Sequence, residues 1–363
     1  MSSQFETKLT RLRAWMADHD YGTVVLSRLE NLAWLGCGAD LRVPVATELG
    51  CGSFVVTRER VTFVTTNIEV QRVADEELGG LPLAVEGAAW HEDGAAALQR
   101  RLSAPEGRLA ADTPGGGREL VNLAPLRAPL LPEEIAAYRA LGADHGAAMG
   151  QVAADLRPGE TEFALAGRLA AALLARGITP TVLLVAADER LAAYRHPLPT
   201  AKAVQRVVLL VAAGRRRGLI CSVSRMVHFG PPSDDLRARH AACCAVDAAL
   251  IANTRPGAAV GAIFGAAQAA YAAGGYPEEW RYHHQGGPTG YVGREYRATA
   301  QTKDCVYPWQ AFAWNPSIAG TKSEDTILAG PDGPEILSAS PDWPLLEVEA
   351  FDRRVARPDI LVR

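Results

Sequence analysis

RVVLLVAAGRRRGLICSVSRMVHF, residues 206–229, consists of two apolar runs joined by Arg215-Arg216-Arg217-Gly218. A strand with one wet face alternates apolar and polar residues. These runs are apolar almost throughout, so they read as two strands buried on both faces. Gly218 supplies the flexible backbone that the turn between them needs. Upstream, PGETEFALAGRLAAALLARGI (158–178) has helical spacing, with Pro158 and Glu160 near its start and Gly177 as its stop. Before it, EEIAAYRALGADHGAAMGQVAADL (133–156) is a second helical run opened by Pro132. Downstream, residues 239–275 form two alanine-rich helices broken at Arg255-Pro256-Gly257.

The N-terminal third has a different character. Leu9, Leu12, Trp15 and Met16 lie at amphipathic spacing over residues 5–20. Short strands at 23–27, 52–57 and 60–66 alternate with helical stretches such as EVQRVADEEL (69–78), an α/β pattern. The Gly- and Pro-rich segment from 112 to 134 marks a boundary near residue 127, so two domains, 1–127 and 128–363, are expected.

Composition excludes several classes. A net charge of −4, with 48% hydrophobic and 21% charged residues, offers no electrostatic attraction to nucleic acid or an anionic membrane. No signal-peptide core and no run approaching about 18 apolar residues is present, so a cytoplasmic location is expected. Six scattered cysteines form no CxxC pair and read as reduced, buried thiols. The substrate is therefore expected to be a small molecule.

Two segments are rich in chemistry-bearing residues. RYHHQGGPTGYVGREY (281–296) concentrates His283, His284, Arg294 and Glu295, and QAFAWNPSIAGTKSEDTILAG (310–330) carries Asn315 and Glu324. A glycine-flanked segment lets backbone approach a ligand closely. In an HH dipeptide on a strand, only one ring can face a site. The glycines at 286, 287, 290 and 293 do not match a phosphate-binding fingerprint. His196, in RHPLPT, is a candidate proton carrier because imidazole titrates near neutrality. Arg294 suits bidentate capture of a carboxylate, or else an internal ion pair with Glu295 or Glu324. Tyr291, Trp314 and Tyr194 are candidate pocket walls, and Cys221 lacks the setting of a nucleophile elbow.

The order of these features, PGETE helix, His-Pro segment, hairpin ending in Ser-Arg, helices split by RPG, His-rich glycine segment and late SED strand, resembles the pita-bread family of creatinases, aminopeptidase P and methionine aminopeptidases. The resemblance implies an α+β fold: a pita-bread C-terminal domain after a creatinase-type N-terminal α/β domain. It also implies a homodimer in which the N-terminal domain of one subunit helps cover the partner's pocket, with Arg42 or Trp34 contributing. Metallopeptidases of the family hold two divalent metals with two aspartates, one histidine and two glutamates. Here the aspartate positions fall on Ala212 and Ser222 and one glutamate position falls on Asn315, while a histidine of the HH pair and Glu324 match. No metal ligand set and no cofactor is therefore expected.

The segment GYVGREY is similar to the creatinase branch, which cleaves a C–N bond without metal. That similarity makes His196 the proton shuttle and assigns His283 or His284, with Glu324, to polarising the reacting group. Arg294, Glu295, Asn315, Ser222, Ser224 and Tyr291 then bind a small carboxylate-bearing substrate. Creatine itself fits poorly, because the carboxylates that would hold a guanidinium fall on Ser224 and Asn315. Two alternatives stay open at this point, an Xaa-Pro aminopeptidase-like metallohydrolase and a non-catalytic protein that binds a peptide or other ligand.

Overall fold

The computed structural model describes residues 2–103 and 107–363, which separate into two compact units, Met1–Arg127 and Ala128–Arg363. In the first unit, α1 (Ser2–Asp18) and α2 (Leu29–Leu35) flank β1 (Tyr21–Arg28) in the chain. β2 (Leu49–Thr57), β3 (Val61–Thr66) and β4 (Ala84–Ala88) follow, then α3 (Gly94–Leu102), β5 (Arg108–Ala111) and β6 (Glu119–Leu120). They form one mixed sheet of order β4-β3-β2-β1-β5-β6. The expected helix at 69–78 is a single α-helical turn, Val70–Arg72, that widens into a π-helical Val73–Glu77. Asp112 anchors this unit, since its carboxylate accepts the N–H groups of Ser27 and Arg28 and the side-chain amide of Asn31.

The second unit opens with α4 (Pro132–Ala154) and α5 (Glu162–Leu174). Glu134 caps α4 by accepting the Leu131 N–H at 2.7 Å, and Thr161 Oγ1 caps α5 by accepting from Ala164 N. The glycines of α4 let it lie directly on the chain near residue 339. A Cβ at Gly146 would stand 2.2 Å from the Ala339 carbonyl oxygen. Strands β7 (Thr179–Ala187), β8 (Val207–Arg216) and β9 (Leu219–His228) make an antiparallel meander, and every residue of β9 is buried, as its apolar run requires.

Helices α6 (Asp234–Asn253) and α7 (Val260–Ala273) lie before β10 (Gly286–Thr289), β11 (Ala311–Trp314), the short β12 (Ser317–Ile318) and β13 (Thr321–Lys322), β14 (Asp325–Gly330) and β15 (Gly333–Ile336). The hairpin β16 (Leu345–Ala350) and β17 (Arg353–Pro358) and the last strand β18 (Leu361–Val362) complete the unit. Two four-stranded sheets result, β18-β9-β8-β7 and β10-β11-β14-β15. An isolated antiparallel bridge between Ser224 and Glu324 joins them. Residues from α6, α7, β11 and β14, including Phe264, Tyr271, Phe312 and Trp314, pack into one core over this joined surface. Among the described residues no helix is long and apolar enough to cross a membrane.

Candidate functional site

The bridge between the sheets places the site. On β9, Ser222 and Ser224 share one face by the two-residue period of a strand, and Glu324 faces them from between β13 and β14. Ser224 Oγ donates to Glu324 Oε2 at 2.6 Å. Lys322 Nζ stands 3.0 Å from the same oxygen, and Arg294 Nη2 stands 3.0 Å from Oε1. The Glu324 side chain is only 3% exposed. Burial acts to raise its pKa, but Lys322, Arg294 and Ser224 outweigh that effect and hold the group at about 2.

A carboxylate so saturated stays ionised and has no proton to move near neutral pH. Glu324, expected to polarise the reacting group, is held here as the anchor of two cations. Arg294 correspondingly forms the internal ion pair with Glu324. Its Nη1 donates to the Gly293 carbonyl at 2.6 Å, while its buried Nε has no hydrogen-bond partner among the described residues.

The histidines meet beside this cluster. His196 lies in the loop after β7, held by Arg195, which donates to Ser317 Oγ at 3.0 Å and to Glu279 Oε2 at 2.5 Å. Glu279 starts a 3-10 turn, Glu279–Arg281, that leads into His283 and His284. This segment is irregular rather than a strand, so both rings border an outer cleft, while only His284 of the pair lines the inner cavity. Their centroids are 4.5 Å apart at an interplanar angle of 33°. His283 Nε2 lies 3.1 Å from His196 Nε2, so one ring donates to the other.

All three imidazoles are pushed toward the neutral form. Burial is the largest cause in each case, and Lys322 adds to it at His196 and His283, while Arg294 and Arg297 add to it at His284. His283 falls to about 2 and His284 to about 4.

A cavity of about 230 Å³ is lined by His196, His284, Arg294, Asn315, Lys322 and Glu324, over a floor that includes Leu184, Val211 and Ala212. Ser222 also faces it, with its Oγ 3.5 Å from Arg294 Nη1. The buried Asn315 Oδ1 has no hydrogen-bond partner among the described residues. His196, His283 and His284 also border a wider neighbouring cleft with Arg297 and Trp280.

Several expected wall residues lie elsewhere. Tyr291 is turned away to donate to Glu134 on α4, and neither it nor Glu295 lines the cavity. Trp314 is a core residue whose Nε1 donates to Thr254 Oγ1 at 2.9 Å. Tyr194 is exposed beneath the Arg190 guanidinium. Cys221 is buried, which raises its thiol to about 12 and leaves it inert. Conversely, sequence reasoning did not assign Lys322, Arg297 or Gln285 to the site. The Gln285 amide holds the histidine turn through Tyr271 OH and the His283 carbonyl. Lys322 could have been found from its position two residues before Glu324, but Arg297 and Gln285 carry no such signal.

A model of metallopeptidase family M24 matches residues 136–328 of the chain. The chain belongs to this family. No curated protein sequence matches it. Among solved structures it is similar in fold to the dipeptidase PepE from Mycobacterium ulcerans, with 19% identity, a TM-score of 0.78, and coverage of 99% of this chain and 98% of that one. It is likewise similar to an Xaa-Pro dipeptidase from Bacillus anthracis, with 17% identity, a TM-score of 0.79 and coverage of 99% and 100%. A third relative in fold is the N-terminal domain of the FACT complex subunit SPT16 from Cicer arietinum, with 13% identity, a TM-score of 0.69 and coverage of 92% and 96%. The α+β pita-bread architecture follows from family and fold together.

The metal pair implied by the M24 family does not fit these residues. Ala212, Ser222, Asn315 and Glu324 line one cavity, so the ligand positions are together, yet only Glu324 is a carboxylate. Both of its oxygens are already taken by cations. A dication there would have to displace an ammonium or a guanidinium without a second carboxylate to offset its charge. A different set, nitrogen atoms of His196, His283 and His284, lies within 4.8 Å and could reach one ion. It offers no anionic ligand, and the Gly286 N–H donates to His284 Nδ1 at 3.3 Å.

Proposed function

We propose that this M24-family chain hydrolyses a C–N bond of a small carboxylate-bearing substrate in the creatinase manner, without the family's metal pair. The observation that carries this reading is Glu324 clamped by Lys322 and Arg294, with neutral imidazoles lining the same cavity. Fixed cations pre-oriented by a buried carboxylate stabilise an oxyanion or hold a carboxylate without reorganising. The His196–His283 pair carries one proton between nitrogens 3.1 Å apart. In this reading His196, with His283 hydrogen-bonded behind it, takes a proton from water as the oxygen attacks carbon, then returns one to the leaving nitrogen as the C–N bond breaks. Asn315 Oδ1, lacking a partner, accepts from a substrate N–H. The reading extends to a cytoplasmic homodimer acting on a small molecule.

A second reading rests on the three imidazole nitrogens within 4.8 Å, which would make the chain a metallohydrolase. Chelator-dialysed protein incubated with a panel of small amides, ureas, amidines and lactams, with release of ammonia or amine as the readout, separates the two. Turnover that survives chelator and is lost in His196→Asn and His283→Asn supports the proposal. Turnover restored only by added Mn²⁺, Co²⁺ or Zn²⁺ overturns it in favour of the second reading. Ligand binding without any turnover favours a non-catalytic binding protein.

A further inference from the structure

The wider cleft beside the histidines supplies an observation that the proposed chemistry does not use. Its Arg195 and Arg281 are paired, with Glu279 and Glu278 respectively. Arg297 is exposed on the same cleft and makes no hydrogen bond or ion pair among the described residues. His196 and His284 border both this cleft and the inner cavity, so they form the wall between Arg297 on one side and Lys322 with Arg294 on the other. Three cations thus surround the neutral imidazoles, against the single carboxylate of Glu324. Two positive charges are left without a counter-charge. Within the inner pair, the buried Arg294 Nε has no acceptor among the described residues.

A buried donor with no acceptor has lost its water without replacement, a cost that a bound anion relieves. Cations arranged around a cleft also raise the local concentration of anions. We infer that the substrate is a small dianion whose two acidic groups are held on opposite sides of the histidine wall, one by Arg294 with Lys322 and the other by Arg297, with the reacting C–N bond between them. This inference rests on the proposed C–N chemistry only for the bond. The charge requirement comes from the cations themselves. Arg297 acts here as a specificity-determining residue, outside the reacting groups.

Isothermal titration of the full chain at low ionic strength tests this directly. The probes are succinate, glutarate, adipate and pimelate, with butyrate and valerate as single-charge controls. At least one dicarboxylate should bind about tenfold or more tighter than either monocarboxylate, with an affinity that falls as salt is added. Arg297→Ala loses no partner among the described residues and should fold normally. It should bring that dicarboxylate to the monocarboxylate level and leave butyrate binding unchanged. Arg297→Lys should restore part of the difference.

No binding by any dicarboxylate, equal binding of both classes, or an Arg297→Ala protein that binds like the wild type would each overturn the inference. Dicarboxylate binding without turnover of any C–N substrate would sink the proposed reaction and leave this inference standing. Turnover of a monocarboxylate substrate that is indifferent to Arg297→Ala would do the reverse.

Discussion

Lys322 Nζ lies 3.0 Å from Glu324 Oε2, with side chains 5% and 3% exposed, and Arg294 holds the carboxylate's other oxygen. Such a buried group tolerates loss of one member badly, because the survivors keep their charge without a partner. Glu324→Gln should lower unfolding stability by about 3 kcal/mol or more in urea titrations. Lys322→Met combined with Glu324→Gln should cost less than the sum of the single changes, a coupling that a double-mutant cycle reads out. Strict additivity would show that Lys322 and Glu324 do not act as one unit.

Titration with Mn²⁺ or Co²⁺ checks the charge argument at the family's metal positions. Chelator-dialysed protein should take up no pair of ions, because Lys322 and Arg294 already neutralise Glu324. Restoring carboxylates with Ala212→Asp, Ser222→Asp and Asn315→Glu in a Lys322→Ala background should allow uptake, measured by elemental analysis. Two ions per wild-type chain would end the metal-free reading.

Acid stability should depend on His145 of α4, which is fully buried with neither ring nitrogen hydrogen-bonded among the described residues. Burial, reinforced by the Arg225 guanidinium, pushes it down to about 4. In the unfolded chain an ordinary histidine titrates near 6.5, so between pH 6.5 and 4 the unfolded state binds the proton and the folded state does not. Stability is present above pH 6.5 and is lost as pH falls toward 4, by up to about 3 kcal/mol from this residue. His145→Leu should keep stability at pH 7 and flatten that acid arm. An unchanged pH profile in the variant would refute the assignment.

The histidine turn depends on backbone that only glycine supplies. Gly286 has a φ of +95°, and a Cβ there would sit 2.1 Å from the Ala313 carbonyl oxygen. Gly286→Ala should therefore destabilise the protein by several kcal/mol, on the order of other backbone-incompatible substitutions. Where the variant still folds, it should lose dicarboxylate binding, since the turn carrying His283 and His284 runs directly into this residue. Gly286 thus serves close approach to β11, whereas Gly293 lines the inner cavity.

Much of the scaffold was readable from the chain alone. The apolar runs at 206–229 specify buried strands, and the alanine-rich stretches specify helices, because burial on both faces and helical spacing are local patterns. The clustering of Ala212, Ser222, Asn315 and Glu324 was also legible, through the family order of motifs. What went astray was assigned from local geometry that tertiary contacts override. Tyr291 was expected in the pocket, but its hydroxyl finds a buried carboxylate on α4, 157 positions away. His283 and His284 were read as a strand, yet Gln285 and Tyr271 hold them in a turn.

The amino-acid sequence by itself determined the buried strand pair at 206–229, the long helices and the loss of carboxylates from the metal positions, since each is a matter of which side chains stand where along the chain. Only the tertiary structure decided the charge partners. His196 and His283, 87 positions apart, share a hydrogen bond, and Lys322 and Arg294 converge on one glutamate. Coulomb energy and proton affinity depend on distances of a few ångströms and on exclusion of water, and those are set only when the two sheets join at Ser224 and Glu324.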